Sequence, residues 1–587
     1  VRRAAVSLRK SQPLAFHPRG ISDAEDSSMV FTGAMSALSD LIPDPSTRGL
    51  WQCRPASVSL GNMGAPFSSG FSSGFLVSSL FPAPFGVISC LLIVGNTAYG
   101  MFAAGGASQD YPFAFNISTS AFIPITGVVA GSGGNLPTTQ LSSGDWTPPS
   151  MDIIGSTVLV THPGFAGTGS FIGWLDVSDP AFPVWHAGNF HDQVSPPVTN
   201  QFVFSTATGV PVAVKAFNGR AYWAFNPPSG PSATVFTDVL APLLVSQAGA
   251  VQIITYDDNV AITALGALPL SNQLGGIVQS LIVFKGVTNM FQITGDIALG
   301  SGPPLGTLNK NALNVATGTL APNSLAATSK GLAFCAPDGV RIIDFNAQVS
   351  DPIGNEGMGK TLPFLFAVAP SRIAAAANGT IYRVSVQDGS APKSPLVEYW
   401  LDFSRGGIWS GPHSFPARVI KPYRTTFITA PYAAPHALFQ SDYIQNASST
   451  FTENGVPMTF SWLTCMLPDT DQMCENAMIE TTIYLGQAPG ALYNVQALNE
   501  SGSALGLVAV TGAAGATIWG EFTWGAAAWG GQPTSLFPQR IAWPRPVVFR
   551  RMAMNVMGPS SQQFRIGTMH LKYEQLGYLQ QPMGMVA

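Results

Sequence analysis

Gly354-Asn355-Glu356-Gly357-Met358-Gly359-Lys360-Thr361 satisfies GxxxxGK[ST], the pattern of a loop that cradles nucleotide phosphates. That chemistry needs a strand feeding the loop and a helix leaving it, because amides at the helix N-terminus hold the phosphate. Here the preceding β-like stretch ends near Phe345, Pro352 intervenes and Pro363 follows, so the segment reads as a loop between strands. Gly70-Phe71-Ser72-Ser73-Gly74 fits the nucleophile-elbow pattern GxSxG, but it sits in the run SSGFSSGF with no helical pattern around it and reads as a Gly/Ser loop. His186, His191 and Asp192 form the one histidine cluster. Their spacing matches no helical ligand pair and no cysteine lies near, so a surface loop is expected. Asp110, Asp257, Asp258 and Asp402 are carboxylates that a glycoside hydrolase could use as a pair. Trp174, Trp185, Trp223, Trp400 and Trp409 could stack on sugars, yet they lie inside strand-like phrases where a core position is expected. No catalytic, cofactor or metal site is assigned, and no cofactor is expected.

The elements that would position such groups follow a recurring phrase: a few β-formers, a tight turn, more β-formers, then a polar or Pro/Gly-rich break. It occurs in Leu91 to Phe102, Val212 to Phe225, Leu281 to Ile293, Leu332 to Phe345 and Ile373 to Val386, with looser copies at Thr157 to Asp176 and His436 to Tyr443. Dipeptides such as Asn218-Gly219, Asp338-Gly339 and Asn378-Gly379 can enter the left-handed region that a two-residue hairpin needs. Hairpins repeated roughly every 45–65 residues predict one blade per copy, hence a β-propeller.

Composition bounds the rest. The 47 prolines and 61 glycines make about 18% of the chain, below the ~25–30% of low-complexity sequences, so they read as turns between many short strands. Charged residues are 10% of the chain, against about 25% in an ordinary soluble domain. So few ions leave the outside weakly solvated, and subunit contacts in an assembly are expected to cover it. Stable membrane insertion is not expected, because no run approaches the ~18 apolar residues of a spanning helix. A net charge of −4 argues against a dedicated nucleic-acid binder, which needs clustered Lys and Arg. Five scattered cysteines without a CxxC pair, and no secretory apolar segment behind Arg2, Arg3, Arg9 and Lys10, point to synthesis in a reduced cytosol.

The chain divides into an arm or docking segment over residues 1–57, the hairpin series over 58–445, and a third region over 446–587. The last carries longer strands and reads as a separate β-sandwich. In Phe564 to Tyr573 the apolar alternation changes phase, which predicts a bulge at Gly567. The expected fold is all-β: a β-propeller with an N-terminal docking arm and a C-terminal β-sandwich.

Leu41 to Ala56 reads LIPDPSTRGLWQCRPA and follows a polar arm containing Gly20-Ile21-Ser22. It resembles the N-terminal signature of the tail nozzle proteins of short-tailed bacteriophages (podoviruses), also called tail tubular protein B. In that family a Gly-containing arm leads to a Gly-Leu…Arg-Pro element, here Gly49, Leu50, Arg54 and Pro55, just before a β-propeller. FRRMAMNVMG (Phe549 to Gly558) and FRIGTMHLKYEQLGY (Phe564 to Tyr578) resemble the closing strands of such nozzles. The resemblance covers the whole chain loosely, through layout and these short motifs. It implies a non-enzymatic protein of the virion tail, assembled in the host cytoplasm as a homo-oligomer, a hexameric ring. The ring is implied to sit on the phage adaptor (head-tail connector) and to carry tail fibres or spikes. Its channel would retain packaged DNA and, during ejection, let it pass with transient contact. An acidic or near-neutral lumen would suit that passage, since a basic one would bind phosphates. Arg48, Trp51 and Arg54 are expected to dock the arm on the adaptor, because Arg and Trp dominate interface hot spots; the alternative is packing against the first blade. The rival readings are a propeller-type carbohydrate hydrolase and a glycan-binding tail adhesin.

Overall fold

The computed structural model describes residues 11–16, 20–21, 34–44, 50–62, 87–103, 110–127, 148–165, 170–191, 199–247, 251–271, 277–298, 305–313, 316–353, 370–387, 396–431, 437–441, 451–453, 456–467, 474–487, 492–511, 536–560 and 564–578. Among them the structure is strands and turns, with helix confined to single 3₁₀ turns.

Seven antiparallel sheets follow one another. The first holds Val87–Val94, Thr97–Ala103, Asp110–Asn116 and Ala121–Ile123, and the second Ser150–Ile154, Thr157–Thr161, Ile172–Asp176 and Val184–Gly188. The third holds Pro211–Phe217, Arg220–Phe225, Ala233–Phe236 and Ile253–Thr255, and the fourth Ile262–Ser271, Ile277–Lys285, Asn289–Ala298 and Leu305–Ala312. The fifth holds Ala326–Thr328, Gly331–Ala336 and Gly339–Ile343, and the sixth Ala374–Asn378, Ile381–Gln387, Leu396–Asp402 and Ile408–His413. The seventh holds Ala417–Tyr423, Thr426–Pro431 and Ala437–Ser441. Each is a meander whose first strand packs on the first strand of the next sheet; at the fifth sheet, Gly331–Ala336 meets the fourth sheet and Ala326–Thr328 meets the sixth. Ala417–Tyr423 returns to Val87–Val94, so the ring closes. This is a seven-bladed β-propeller. Val58–Asn62 pairs with Ala437–Ser441 as the outer strand of the last blade, so a segment preceding the first blade completes the seventh.

Apolar side chains on both faces of the blades explain the ring. Arg220–Phe225 is buried at every position, because one face packs toward the second blade around Trp223 and Phe225 and the other toward the fourth around Tyr222 and Ala224. Such strands lose the in/out alternation of a half-exposed sheet. Their register is fixed instead by turns. Asn218 and Gly219 have φ of 49° and 70° and form the expected two-residue turn between Phe217 and Arg220. In two other hairpins the turn is displaced by one residue: Pro337-Asp338 joins Ala336 to Gly339, and Gly379-Thr380 joins Asn378 to Ile381. The seven phrases read in the sequence fall one in each blade, but His436 to Tyr443 supplies a single strand, Ala437–Ser441.

The remaining strands form a β-sandwich. One sheet runs Phe537–Ile541, Cys474–Gln487, Phe564–Tyr578, Trp51–Cys53 and Leu41–Pro43, with Ser11–Phe16 also on Phe564–Tyr578 and Val548–Phe549 also on Cys474–Gln487. The other runs Ala34–Ser39, Val456–Thr464, Ala553–Ser560, Leu492–Leu498 and Ala504–Thr511, and joins the sixth blade where Gly411 pairs with Leu38. Trp462, Val495, Met554 and Val556 from this sheet share a core with Ile483, Ile566, Met569 and Leu571 from the first. That core continues into the fifth and sixth blades through Cys335, Tyr382 and Trp409. The ladder shifts between Ile483 and Leu485, opposite Gly567 and Thr568, where the phase change required a bulge.

One correction concerns residues 1–57. Their described part is not an arm standing apart from the other regions: it supplies strands to both sheets of the sandwich, and the apolar side chains of Met35, Leu38, Leu41 and Trp51 belong to its core.

Candidate functional site

The innermost strands of the seven blades surround an axial cavity of about 210 Å³. Its wall includes Leu91, Met151, Val214, Leu265, Leu325, Ala375 and Ile420, the apolar residues expected of strands that also feed interblade cores. Three cations interrupt it: Lys215 from the third blade and Arg418 and Lys421 from the seventh. No Asp or Glu is among the described lining residues. Asp152 on the second blade faces Lys215, with its Oδ2 2.7 Å from Lys215 Nζ and accepting the Ala216 N–H at 2.8 Å. Burial, with the Lys215 ammonium adding to it, holds the Lys421 pKa below the ordinary lysine value against the opposing pull of Cys90 and Asp152. Cys90 stays a thiol, because burial and then Asp110 push its pKa up. The sequence reading missed these cations. The signal was a charge inside apolar strands, PVAVKAF and ARVIKPY.

The carboxylates expected to serve a hydrolase occupy other places. Asp257 and Asp258 follow the outer strand of the third blade and face Lys310 and Lys285 of the fourth, with Asp258 also accepting from Asn289 at 2.6 Å. Asp402 caps a 3₁₀ turn by accepting the Ser404 N–H at 2.8 Å. Asp110 is buried at the start of a first-blade strand, opposite Ala103. None of the four lines the axial cavity.

The five tryptophans are core residues, each less than 10% exposed. His186 and His191 flank one of them, with His186 stacked on Trp174 at 5.4 Å between centroids and His191 edge-on at 4.9 Å. Asp192 lies outside the described residues, as do the GxSxG segment and the phosphate-loop pattern Gly354 to Thr361. Among the described residues no three His, Cys, Asp or Glu side chains gather as a metal would require.

Arg48 also lies outside the described residues, whereas Trp51 and Arg54 are 2% exposed. This corrects their expected role at the surface. Trp51 is in the sandwich core, paired with Ile566, and Arg54 sits at the junction of sandwich and propeller. Arg54 Nε donates to Asp40 at 2.8 Å, Nη1 and Nη2 donate to the two Glu453 oxygens at 2.8 and 2.9 Å, and Nη2 donates to the Ser414 carbonyl at 2.7 Å. Groups so enclosed by their own chain are not available to a partner while the fold is intact.

No protein-family model matches the chain, and no curated protein matches it in sequence. Among solved structures, an exo-beta-1,3-galactanase from Phanerochaete chrysosporium with beta-1,3-galactotriose is 10% identical, with 82% of this chain and 95% of that one covered and a TM-score of 0.27. A puromycin-hydrolyzing peptidase of Mycobacterium tuberculosis is 11% identical over 65% of this chain and 60% of its own, with a TM-score of 0.34. The SapL1 lectin in complex with alpha methyl fucoside is 15% identical over 56% and 95%, with a TM-score of 0.29. Scores this low carry no argument about function, and the propeller rests on the chain's own strand pairing. No helix among the described residues is long and apolar enough to cross a membrane.

Proposed function

We propose that the chain is a non-enzymatic tail nozzle protein of a short-tailed bacteriophage, a subunit of a homo-oligomeric, hexameric ring. In this reading the ring docks on the portal-adaptor complex, carries tail fibres or spikes, and forms a channel that holds packaged DNA and releases it on ejection. It belongs to the virion tail and is assembled in the host cytoplasm.

The observation that carries the reading is where the resembling segments lie. Trp51 and Gln52, from the N-terminal stretch, pair with Ile566 and Arg565 from the C-terminal one, and Asp44 lies 3.1 Å from Arg565. Stretches more than 500 residues apart thus form one sheet, so the two resembling segments belong to one structural unit. Exposed apolar side chains support subunit contacts: Phe182, Val239 and Leu240 on the propeller, and Leu492, Leu507 and Ile479 on the sandwich. The hydrolase alternative finds less support, since the four candidate aspartates are distributed among ion pairs, a cap and a buried strand start.

Size-exclusion chromatography with light scattering, followed by negative-stain imaging of the protein with and without the adaptor, tests the proposal. A ring with six-fold views that binds the adaptor is expected. A strict monomer that ignores the adaptor and hydrolyses a capsular or cell-wall glycan would overturn it.

A further inference from the structure

We propose that the axial cavity of the propeller is a binding site for a small oxyanion of the phosphate class, held by Lys421 and Lys215 with Arg418 on the same wall. The inference goes beyond the tail reading and uses the blades alone. Seven innermost strands enclose the cavity, and cations reach it from opposite parts of the ring, the third blade and the seventh. In a chain with net charge −4, three cations and no carboxylate among the described lining residues run against the composition.

The local pairing leaves capacity for an anion. Asp152 is engaged by Lys215 and by the Ala216 and Ile153 amides. The Lys421 side chain makes no hydrogen bond or ion pair with the described residues, although it lies within the electrostatic range of Lys215 and Asp152. Asp152 offsets Lys215 and also favours the charged form of Lys421, yet two ammonium groups with one carboxylate beside them leave one positive charge in the cavity without a counter-charge. A tetrahedral oxyanion supplies that charge and accepts charge-assisted hydrogen bonds from both ammonium groups. At about 210 Å³ the cavity has room for inorganic phosphate or a small phosphate ester.

The experiment is isothermal titration of the full chain with inorganic phosphate and, separately, glycerol 3-phosphate, at constant ionic strength set with chloride. Saturable one-to-one binding of either anion is expected. K421M and K215M should weaken it by roughly tenfold or more, the worth of one charge-assisted hydrogen bond. K330M, at an exposed residue outside the cavity, should leave it unchanged. Thermal unfolding of the wild type gives a second readout that needs no variant: phosphate should raise the midpoint above that in chloride of equal ionic strength. No saturable binding of either anion, or the same affinity in folded K421M and K215M as in the wild type, would overturn the inference.

Discussion

Replacing Arg54 by methionine keeps the length of the side chain and removes its charge from the centre of a buried cluster. Asp40, 1% exposed, and Glu453, 7% exposed, would both lose their cation. Removing one partner of a buried ion pair costs about 3–5 kcal/mol, because the other charge stays desolvated. Asp40 keeps the Ser414 N–H at 2.9 Å and Glu453 keeps the Ser57 N–H and hydroxyl, both at 3.1 Å, so the total effect stays within the range of a single-pair loss. At about 2–4 °C per kcal/mol for a unit of 150–250 residues, the sandwich transition should fall by about 6–20 °C. Scanning calorimetry reads this, and limited proteolysis should show earlier cleavage within residues 34–53. Adding Asp40→Asn and Glu453→Gln to R54M should restore part of the loss, since the stranded charges are then gone. A shift under ~2 °C, or a triple variant that adds the three single costs in full, would show that Arg54 does not hold the junction.

Removing residues 1–57 should expose the sandwich core and make residues 446–587 protease-sensitive, while the blades persist because Val58–Asn62 still completes the seventh blade; an unchanged digestion pattern would contradict the threading. Gly331 has φ of 139°, and an added Cβ would lie 2.0 Å from the Ile343 carbonyl oxygen, so Gly331→Ala should destabilise the fifth blade by at least about 1–3 kcal/mol in denaturant titration; a change within ~0.5 kcal/mol would refute the strain. His413 is buried beside Arg54 and Arg383, with Ser410 Oγ 3.1 Å from Nε2 and Asp40 already engaged by Arg54. Burial, then these cations, hold its pKa well below the usual histidine value, so the unfolded chain binds the extra proton first. Its contribution is complete above about pH 6.5 and is lost as pH falls below it, at up to ~1.4 kcal/mol per pH unit. His413→Gln should flatten the stability profile between pH 6.5 and 5, and an unaltered slope would count against the assignment.

The propeller was legible because its signal is local. A turn such as Asn218-Gly219 sits inside the phrase it organises, and the seven phrases mark the seven blades. Where the turn assignment slipped by one residue, at Pro337-Asp338 and Gly379-Thr380, strands buried on both faces gave no alternation to fix the phase. The threading of the N-terminal segment was not legible, since Arg54 finds Glu453 across 399 positions and no local pattern announces such a pairing. Arg54 and Trp51 were singled out by residue type alone, and type does not separate an anchor for another protein from an anchor within the chain.

The ion pairs sharpen the argument from charge. Arg220 joins the third blade to Asp296 of the fourth, Lys215 joins the third to Asp152 of the second, and Arg383 joins Glu398 of its own blade to Ser441 of the seventh. Arg54 joins Asp40 and Glu453 of the sandwich to the Ser414 carbonyl between the sixth and seventh blades. With only 10% charged residues to begin with, a chain that places these inside has fewer left for water. An outer surface thus depleted gains more from contact with its own copies than a surface with the usual ~25%. Lys-for-apolar substitutions at Phe182, Leu240 and Leu507 should therefore leave the fold intact and shift light-scattering mass toward monomer. If the mass holds while solubility alone improves, the exposed apolar residues are not subunit contacts.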